Sequence, residues 1–278
     1  MNVNKKILIT GSCGQLGTEL SHLLPDAILT DVNDLDITDL NAVLHFVKEN
    51  DIGTIINCAA YTAVDKAEDE VELAEKINVL GPLNLAQTGA TIIHISTDYV
   101  FDGKGYRPYE PEDETNPMSV YGKTKRAGEK AVLENADTAI IIRTAWLYSP
   151  YGKNFVKTMR MLGEIKESIN VVNDQIGTPT CAADLAEAIV KILPQVKKGQ
   201  KEIYHFTNEG VCSWYDFAKE IMDLCDLNCN VNPIPSSEYP TKAVRPFYSV
   251  LSKQKIKKDF NLTIPHWKES LKKCLKQF

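Results

Sequence analysis

A tyrosine and a lysine four positions apart, Tyr121 and Lys125, form the pair in this sequence that is best suited to acid–base chemistry. On a predicted helix this spacing places both side chains on the same face. A free phenol is a poor proton donor or acceptor at neutral pH, whereas an adjacent ammonium favours the phenolate. We therefore expect Lys125 to lower the pKa of Tyr121 toward useful acid chemistry. A surface pair without a chemical role has the same spacing, so the neighbouring motifs decide between the two interpretations.

Polar residues end a short apolar run that reads as a buried strand, 91–97, and continue as Asp98-Tyr99. Ligands of open α/β sheets bind at the carboxyl ends of the strands, where a hydroxyl can hydrogen-bond a substrate oxygen. Thr97 is the candidate for this role, and Ser96 could share it. The sequence has no Gly-x-Ser-x-Gly motif and no histidine placed to act as a base for these hydroxyls, which argues against a nucleophilic hydrolase.

Three glycines, Gly11, Gly14 and Gly17, lie between a strand-like and a helix-like segment. In such a turn the first glycine permits the tight bend, the second lets a pyrophosphate approach the backbone, and the third lets helix and strand pack closely. Asp31 ends the next strand, where a carboxylate can accept hydrogen bonds from the adenosine ribose and repel a 2′-phosphate. The alternative for Asp31 is a solvated turn residue. The sequence therefore predicts a dinucleotide site compatible with NADH.

Short β-branched runs alternate with amphipathic segments through the first two thirds of the chain. The runs are 5–10, 27–31, 54–60, 91–97 and 138–144, and the helical segments are 15–24, 38–50, 71–86 and a further helix after Asn116-Pro117. This alternation predicts an α/β fold with a Rossmann-type, doubly wound parallel sheet.

The pattern loosens after residue 150, with an irregular stretch at 171–180 and a proline-rich one at 231–246. Long irregular segments within a compact protein are usually functional. We therefore predict a smaller C-terminal α/β lobe that binds the substrate. The predicted division assigns residues 1–150 and 169–200 to the dinucleotide-binding domain, and 151–168 and 201–278 to the lobe.

The composition excludes several classes of partner. A net charge of −6 argues against a nucleic-acid binder, and no apolar run approaches the ~18 residues that a membrane span needs. The N-terminal apolar stretch is too short for a signal peptide, and seven scattered cysteines suit reduced thiols, so we expect a cytoplasmic protein. No histidine stands at ligand spacing beside a cysteine pair, and no metal site is predicted.

Six further motifs make the chain resemble the dTDP-4-dehydrorhamnose reductases, which are extended short-chain dehydrogenases. The motifs are NCAAYTAVDKAE (57–68), STDYVFDG (96–103), PMSVYGKTKRAGE (117–129), RTAWLY (143–148), DQIGTPT (174–180) and RPFYSVLS (245–252). The resemblance implies that NADPH or NADH reduces the 4-keto group of dTDP-4-dehydro-L-rhamnose, giving dTDP-L-rhamnose for cell-surface polysaccharides. The predicted lobe would then hold the nucleotide sugar.

The resemblance also implies roles for individual residues. Tyr121 matches the general acid, Lys125 its partner on the cofactor ribose, and Thr97 the third catalytic member. Positions that match cofactor contacts are Gly14, Gln15, Leu16, Asp36, Ile37, Ala60, Tyr61 and Thr62, and positions that match substrate contacts are Thr97, Asp98 and Trp146. Trp146 offers a flat apolar face for the deoxysugar, or else is a core tryptophan. Arg245 is our hypothesis for a diphosphate ligand, because a planar guanidinium suits phosphate oxygens; the alternative is a surface arginine.

Three points stay open at this stage. A nucleotide-sugar epimerase or dehydratase would share the fold, but a dehydratase usually needs an acidic pair near the catalytic tyrosine, and Thr97-Asp98-Tyr99 supplies a single acid. A relative of the family is the non-catalytic regulatory subunit of methionine adenosyltransferase. Some members form a Mg²⁺-bridged dimer through acidic residues that cannot be matched to this C-terminus, so the prediction is a monomer or homodimer without a metal.

Overall fold

Strands and helices alternate through most of residues 5–278, the part of the chain that the computed structural model describes. The strands are β1 (Lys6–Thr10), β2 (Ile28–Thr30), β3 (Ile52–Asn57), β4 (Thr91–Thr97), β5 (Ala139–Thr144), β6 (Leu147–Tyr148), β7 (Ser168–Val172), β8 (Ile176–Gly177), β9 (Thr180–Cys181), β10 (Lys201–His205), β11 (Cys212–Ser213) and β12 (Asn230–Ile234). The helices are α1 (Gln15–Leu23), α2 (Leu40–Glu49), α3 (Val64–Ala67), α4 (Val71–Glu75), α5 (Gly81–Ala86), α6 (Val120–Asn135), α7 (Phe155–Ile165), α8 (Ala182–Ile192), α9 (Trp214–Leu224), α10 (Gln254–Phe260) and α11 (Trp267–Leu275). Residues 1–4, which the predicted first domain includes, lie outside the described part.

A six-stranded parallel sheet forms the centre of the molecule, with the strand order β10-β5-β4-β3-β1-β2. The chain passes from β1 to β2 on one side and then returns to β3 on the other. The topological switch point therefore lies between β1 and β3, where open α/β sheets bind their ligands. The predicted doubly wound parallel sheet is confirmed.

Alternating isoleucines explain why the central strands are buried on both faces. Successive side chains of a strand point to opposite sides, so Ile55 and Ile92 pack into one core while Ile56 and Ile93 pack into the other. The first core includes Val43 of α2, and helices α1 and α8 cover the second. Each predicted apolar run overlaps one strand of the main sheet, and β4 coincides with the predicted run 91–97.

The predicted helix 71–86 consists of α4 and α5 joined by a π-helical turn, Lys76–Leu80. Pro82 explains the turn. It has no N–H to donate to the carbonyl of Asn78, so the regular hydrogen-bond register cannot continue through it.

The C-terminal lobe has its own small parallel sheet, in which β7 pairs with β12. Its core is formed by aromatic and aliphatic side chains, among them Phe217, Ile221, Trp267 and Leu271. β10 instead pairs with β5 in the main sheet. These pairings differ from the predicted division, which placed 169–200 in the nucleotide domain and 201–278 in the lobe, because strand composition does not reveal which sheet a strand joins. The rest of the division stays a prediction.

Within the described residues, no helix is long and apolar enough to cross a membrane.

Replacing Ile142 by alanine tests the importance of the main sheet for stability. Ile142 is fully buried in β5, so Ile142→Ala is expected to lower the free energy of unfolding by about 2–5 kcal/mol. Urea denaturation followed by circular dichroism measures this change. Ile165→Ala, at the exposed end of α7, is the matched control and should change stability by less than about 0.5 kcal/mol. Equal losses in the two variants would contradict the assigned core.

Candidate active site

The glycine-rich turn between β1 and α1 has room for backbone but not for side chains. Gly11 has a φ of +64°, and a Cβ atom there would lie 2.6 Å from the backbone nitrogen of Ala59. A Cβ at Gly17 would lie 2.4 Å from the carbonyl oxygen of Gly11. No side chain caps α1 at Gly14, so the amide groups of its first turn are available to an anion. The turn has the features that a pyrophosphate needs.

A cavity of about 260 Å³ adjoins this turn on the β2 side. Its lining includes six predicted cofactor residues, namely Gly11, Gly14, Asp31, Asp36, Ile37 and Ala60. The Asp31 carboxylate accepts hydrogen bonds from the N–H groups of Cys13 at 3.1 Å and Val32 at 2.8 Å. An ionised carboxylate can accept about four hydrogen bonds. Asp31 therefore fixes the turn and keeps capacity for a ribose hydroxyl.

A second cavity, of about 600 Å³, lies on the other side of the same glycines. It brings together residues that the sequence separates by more than two hundred positions. Its lining includes Gly11, Gly14, Gln15, Leu16, Gly17, Ala60, Thr62, Thr97, Asp98, Tyr121, Lys125, Trp146 and Arg245. The two cavities share Gly11, Gly14, Cys58 and Ala60, and they follow the carboxyl ends of β1, β3, β4 and β5.

Tyr61 is the predicted cofactor residue that lines neither cavity. Its hydroxyl donates to Glu70, and its backbone N–H donates to Asn78 Oδ1 at 2.8 Å. Because successive side chains of an extended segment point in opposite directions, Ala60 and Thr62 face the cavities while Tyr61 faces away. That Tyr61 contacts the cofactor stays a prediction.

Helix α6 carries Tyr121 and Lys125 to the end of β4. The helix begins at Val120, and the Ser119 hydroxyl caps it by accepting the Gly122 N–H at 3.1 Å. Lys125 is buried, and its Nζ donates to the carbonyl oxygen of Ile95 at 2.6 Å. The Thr97 hydroxyl lies close enough to Tyr121 to affect the pKa of the phenol. The three residues predicted to be catalytic are thus neighbours.

The pKa of Tyr121 lies above its ordinary value, whereas the sequence led us to expect a lowered one. Burial raises the pKa of Tyr121 above its ordinary value, the Thr97 hydroxyl opposes the rise, and Asp98 adds to it. The predicted lowering of the Tyr121 pKa by Lys125 is therefore wrong. The ammonium donates to Ile95, while the acidic Asp98 lies near the phenol. Tyr121 consequently stays protonated at neutral pH, which is the form a proton donor requires.

Burial also shifts the pKa values of Lys125 and Asp98, which line the same cavity. It lowers the pKa of Lys125 to about 8, and the negative charge of Glu129 opposes that shift. It raises the pKa of Asp98 to about 6, although a hydrogen bond from Thr97 lowers it. The Thr97 hydroxyl donates to Asp98 Oδ1 at 3.1 Å. Thr97 thus lies close to both the phenol and a carboxyl group.

The Ser96 hydroxyl is not free for substrate. It donates to Glu129 Oε1 at 2.6 Å in a buried network behind the cavity. Ser96 also lines the cavity, but the bond to Glu129 does not support the suggestion that its hydroxyl shares the role of Thr97.

Two aromatic rings and one arginine form the wall opposite the sheet. Trp146 has a φ of +49°, and its ring stacks on that of Trp214 with the centroids 3.5 Å apart. Arg245 Nη2 donates to Asp65 Oδ2 at 2.7 Å, and Nη1 donates to the Tyr99 hydroxyl at 3.4 Å. These bonds hold Arg245 at the cavity. The alternative, a surface arginine extended into solvent, is not what the structure has.

The sequence reasoning missed several lining residues. They are Cys58, Tyr99, Ala145, Leu147, Lys153 and Trp214. Cys58 and Ala145 directly follow β3 and β5, so the rule that ligands bind at strand ends could have found them. Lys153 lies in a loop and Trp214 begins α9, and neither had a signal in the sequence.

Among residues 5–278 no group of three or more His, Cys, Asp or Glu side chains is arranged to hold a metal ion.

Comparison with known proteins places this geometry in a family. The family described as "RmlD substrate binding domain" matches residues 5–278. A dTDP-4-dehydrorhamnose reductase from Streptomyces griseus is 44% identical over 276 residues, which cover 95% of this chain and 91% of that protein. The chain belongs to the dTDP-4-dehydrorhamnose reductase family.

Solved structures of dTDP-4-dehydrorhamnose reductases agree with the fold. One from Clostridium acetobutylicum is 46% identical, covers 98% of this chain and 99% of its own, and gives a TM-score of 0.94. One from Bacillus anthracis, in complex with NADP, is 39% identical, covers 99% of both chains and gives a TM-score of 0.93. The family predicted from the motifs is confirmed.

Replacing Gly11 by alanine tests the glycine cradle. Gly11→Ala meets both an unfavourable φ and a backbone contact, so NADPH affinity should fall at least about tenfold. Nicotinamide fluorescence measures the affinity. Gly199→Ala is the control, since Gly199 has a φ of +81° but no atom within 4 Å of an added Cβ. It should lower stability slightly and leave the affinity unchanged; similar affinities in both variants would disprove the cradle.

Proposed function

We propose that this protein reduces the 4-keto group of dTDP-4-dehydro-L-rhamnose to the alcohol of dTDP-L-rhamnose, with NADPH or NADH as the reductant. The observation that carries the proposal is the convergence of Tyr121, Lys125 and Thr97 in one cavity beside the glycine cradle. Thymidine-diphosphate sugar reduction is also the activity named for the relatives described above.

The cofactor fits the residues present. The first turn of α1 would hold the pyrophosphate, the 260 Å³ cavity with Asp31 and Ile37 would hold the adenosine, and Lys125 would bind the nicotinamide ribose. When bound, the nicotinamide supplies the hydride. The NADP in the Bacillus anthracis structure supports NADPH, whereas the Asp31 carboxylate disfavours a 2′-phosphate and supports NADH. Parallel assays with NADPH and NADH decide the preference.

Reduction also needs a proton at the carbonyl oxygen. The hydroxyl groups of Thr97 and Tyr121 both line the cavity and can interact with this oxygen. The Thr97 hydroxyl has one proton, which it donates to Asp98 in this structure. Turned toward the substrate, the same hydroxyl would donate to the carbonyl oxygen and polarise the carbonyl. Tyr121 donates its proton to the same oxygen as negative charge develops there, leaving a phenolate that solvent reprotonates. The raised pKa of Tyr121 keeps the donor loaded at neutral pH. These two residues account for the acid half of the reaction.

The nucleotide half of the substrate has space on the lobe side. A groove of about 600 Å³, lined among others by Phe155, Ile169 and Gln175, shares Trp214 and Arg245 with the catalytic cavity. Arg245 and Lys153 supply positive charge at the start of this path, which suits a diphosphate. We propose that the diphosphate lies at Arg245 and the nucleoside extends toward the groove.

Two rival functions make different predictions for one assay. An epimerase or dehydratase reoxidises its own NADH in each cycle, and the site offers the single acid Asp98 rather than an acidic pair. A regulatory subunit would not turn over at all, and Tyr121 and Lys125 argue for turnover. Stoichiometric consumption of added NADPH or NADH by the 4-keto sugar supports the reductase and excludes both rivals.

We infer a cytoplasmic location and a monomer or homodimer as the solution state. All seven cysteines are free thiols, which agrees with a reducing compartment. Light scattering of the purified protein measures the solution mass.

Tyr121→Phe tests the proton donor. Removing the hydroxyl should lower kcat by about 10²- to 10⁴-fold, the usual contribution of general acid catalysis, while NADPH affinity changes by less than about twofold. Steady-state assays and cofactor fluorescence measure the two quantities. Tyr106→Phe, at a highly exposed tyrosine, is the control and should retain full activity. A Tyr121→Phe variant with unchanged kcat would refute the assignment.

Arg245→Ala tests the diphosphate ligand. Loss of a charge-assisted hydrogen bond costs about 1.5–3 kcal/mol, so the KM for the nucleotide sugar should rise about ten- to hundredfold while the KM for NADPH stays constant. Lys242→Ala is the control, because Lys242 lies in the same segment but pairs with the exposed Asp69. An unchanged sugar KM in Arg245→Ala would show that Arg245 does not bind the diphosphate.

A further inference from the structure

Glu129 is a fully buried carboxylate one helical turn beyond Lys125 on α6. Residues four apart on a helix are neighbours on its surface, so Glu129 and Lys125 share the face that packs against the sheet. Glu129 does not line the catalytic cavity. Its position behind the cavity raises the question of what a buried acid does there.

The Glu129 carboxylate ties α6 to two strands of the main sheet. Its Oε1 accepts the Ser96 hydroxyl of β4 at 2.6 Å and Arg143 Nε of β5 at 2.8 Å, and its Oε2 accepts Arg143 Nη2 at 2.8 Å. Arg126 lies 3.5 Å from Oε2 on the outer side. A bidentate, buried arginine pair fixes both distance and orientation. The pairing sets how α6 is seated at the end of β4, where Tyr121 meets Thr97.

Glu129 is also the negatively charged residue that acts on Lys125 from behind the cavity. Tyr121, on the same helix face, stays protonated, and the other titratable groups that face Lys125 are Cys58 and His94. Burial raises the pKa of the Cys58 thiol to about 12 and holds the pKa of His94 well below its ordinary value, so both are neutral. Behind the pair, burial lowers the pKa of His205 beside Arg143 to about 3. Glu129 thus supplies negative charge where the other two groups supply none.

We propose that Glu129 is a positioning residue, which seats the Tyr121–Lys125 face of α6 on β4 and β5 and holds the Lys125 side chain in its ammonium form for the cofactor. The inference rests on the proposed function, because it assumes that Lys125 binds the nicotinamide ribose. A simple structural pair would stabilise the fold without affecting the charge of Lys125, so the pH dependence of cofactor binding separates the two roles.

The direction of the expected change follows from the charges. Burial lowers the pKa of Lys125 to about 8, and Glu129 opposes that shift. Removing the negative charge therefore lowers the pKa further, and the ammonium is lost at lower pH. The alkaline limb of NADPH binding should move to lower pH by about one unit, while binding in acid, where Lys125 is protonated in every variant, should change little.

The experiment compares NADPH binding from about pH 6 to about pH 10 in the wild type, Glu129→Gln and Glu129→Gln/Arg143→Met. The double variant leaves no unpaired buried arginine and removes the positive charge of Arg143 together with the negative charge of Glu129. At about pH 8.5 the affinity of Glu129→Gln should fall about tenfold, and at about pH 6 by less than about twofold. The alkaline limb of the double variant should return toward that of the wild type, because the two lost charges offset each other. Nicotinamide fluorescence reports binding without turnover.

Glu134→Gln is the matched control, because it is the same change on the same helix at an exposed pair with Lys130. Its pH profile should superimpose on that of the wild type. A loss of affinity by the same factor at every pH, or an alkaline limb that does not move, overturns the inference while leaving the proposed function intact. If the wild type binds no NADPH, both the inference and the proposed function are overturned. The same holds if the wild type shows no alkaline limb, or if Lys125→Met does not remove that limb.

Discussion

Parallel pairing of β1, β3, β4 and β5 is the constraint on which the site depends. It places the carboxyl ends of all four strands at one edge of the sheet, so the glycine turn, Cys58 and the Thr97-Asp98 pair emerge side by side although the chain separates them. The switch point between β1 and β3 leaves a crevice at this edge. The six-stranded sheet thus provides both the rigid core and the edge at which the cavity lies.

The chemistry in turn depends on placing ionisable groups where water is scarce. Burial raises the pKa of Tyr121, which stays protonated, and lowers the pKa of Lys125. Specific partners around each group oppose these shifts. Lys125 donates to a backbone carbonyl, while Glu129 pairs with Arg143 behind the helix. Buried charges are costly unless they are paired and hydrogen-bonded, so this arrangement specifies one orientation of α6.

The lobe completes the site by contacts that cross between the two parts of the chain. Gln15 of α1 accepts a hydrogen bond from Asn154 at 2.9 Å, Trp146 stacks on Trp214, and Arg245 pairs with Asp65 of α3. These contacts bring a tryptophan, a lysine and an arginine to a cavity whose floor comes from the nucleotide-binding sheet. The cleft is therefore shaped jointly by segments distant in sequence.

The sequence by itself determined the alternating strands and helices, the glycine turn and the Tyr121–Lys125 pair, because hydrophobic periodicity, steric limits on glycine and helical spacing act over a few residues. Only the tertiary structure decided that β10 joins the main sheet, that Tyr61 faces away, that Ser96 serves Glu129, and that Trp214 and Lys153 reach the cavity. It also reversed the expected shift of Tyr121, since burial and the direction of the Lys125 ammonium depend on packing between elements that no local pattern encodes.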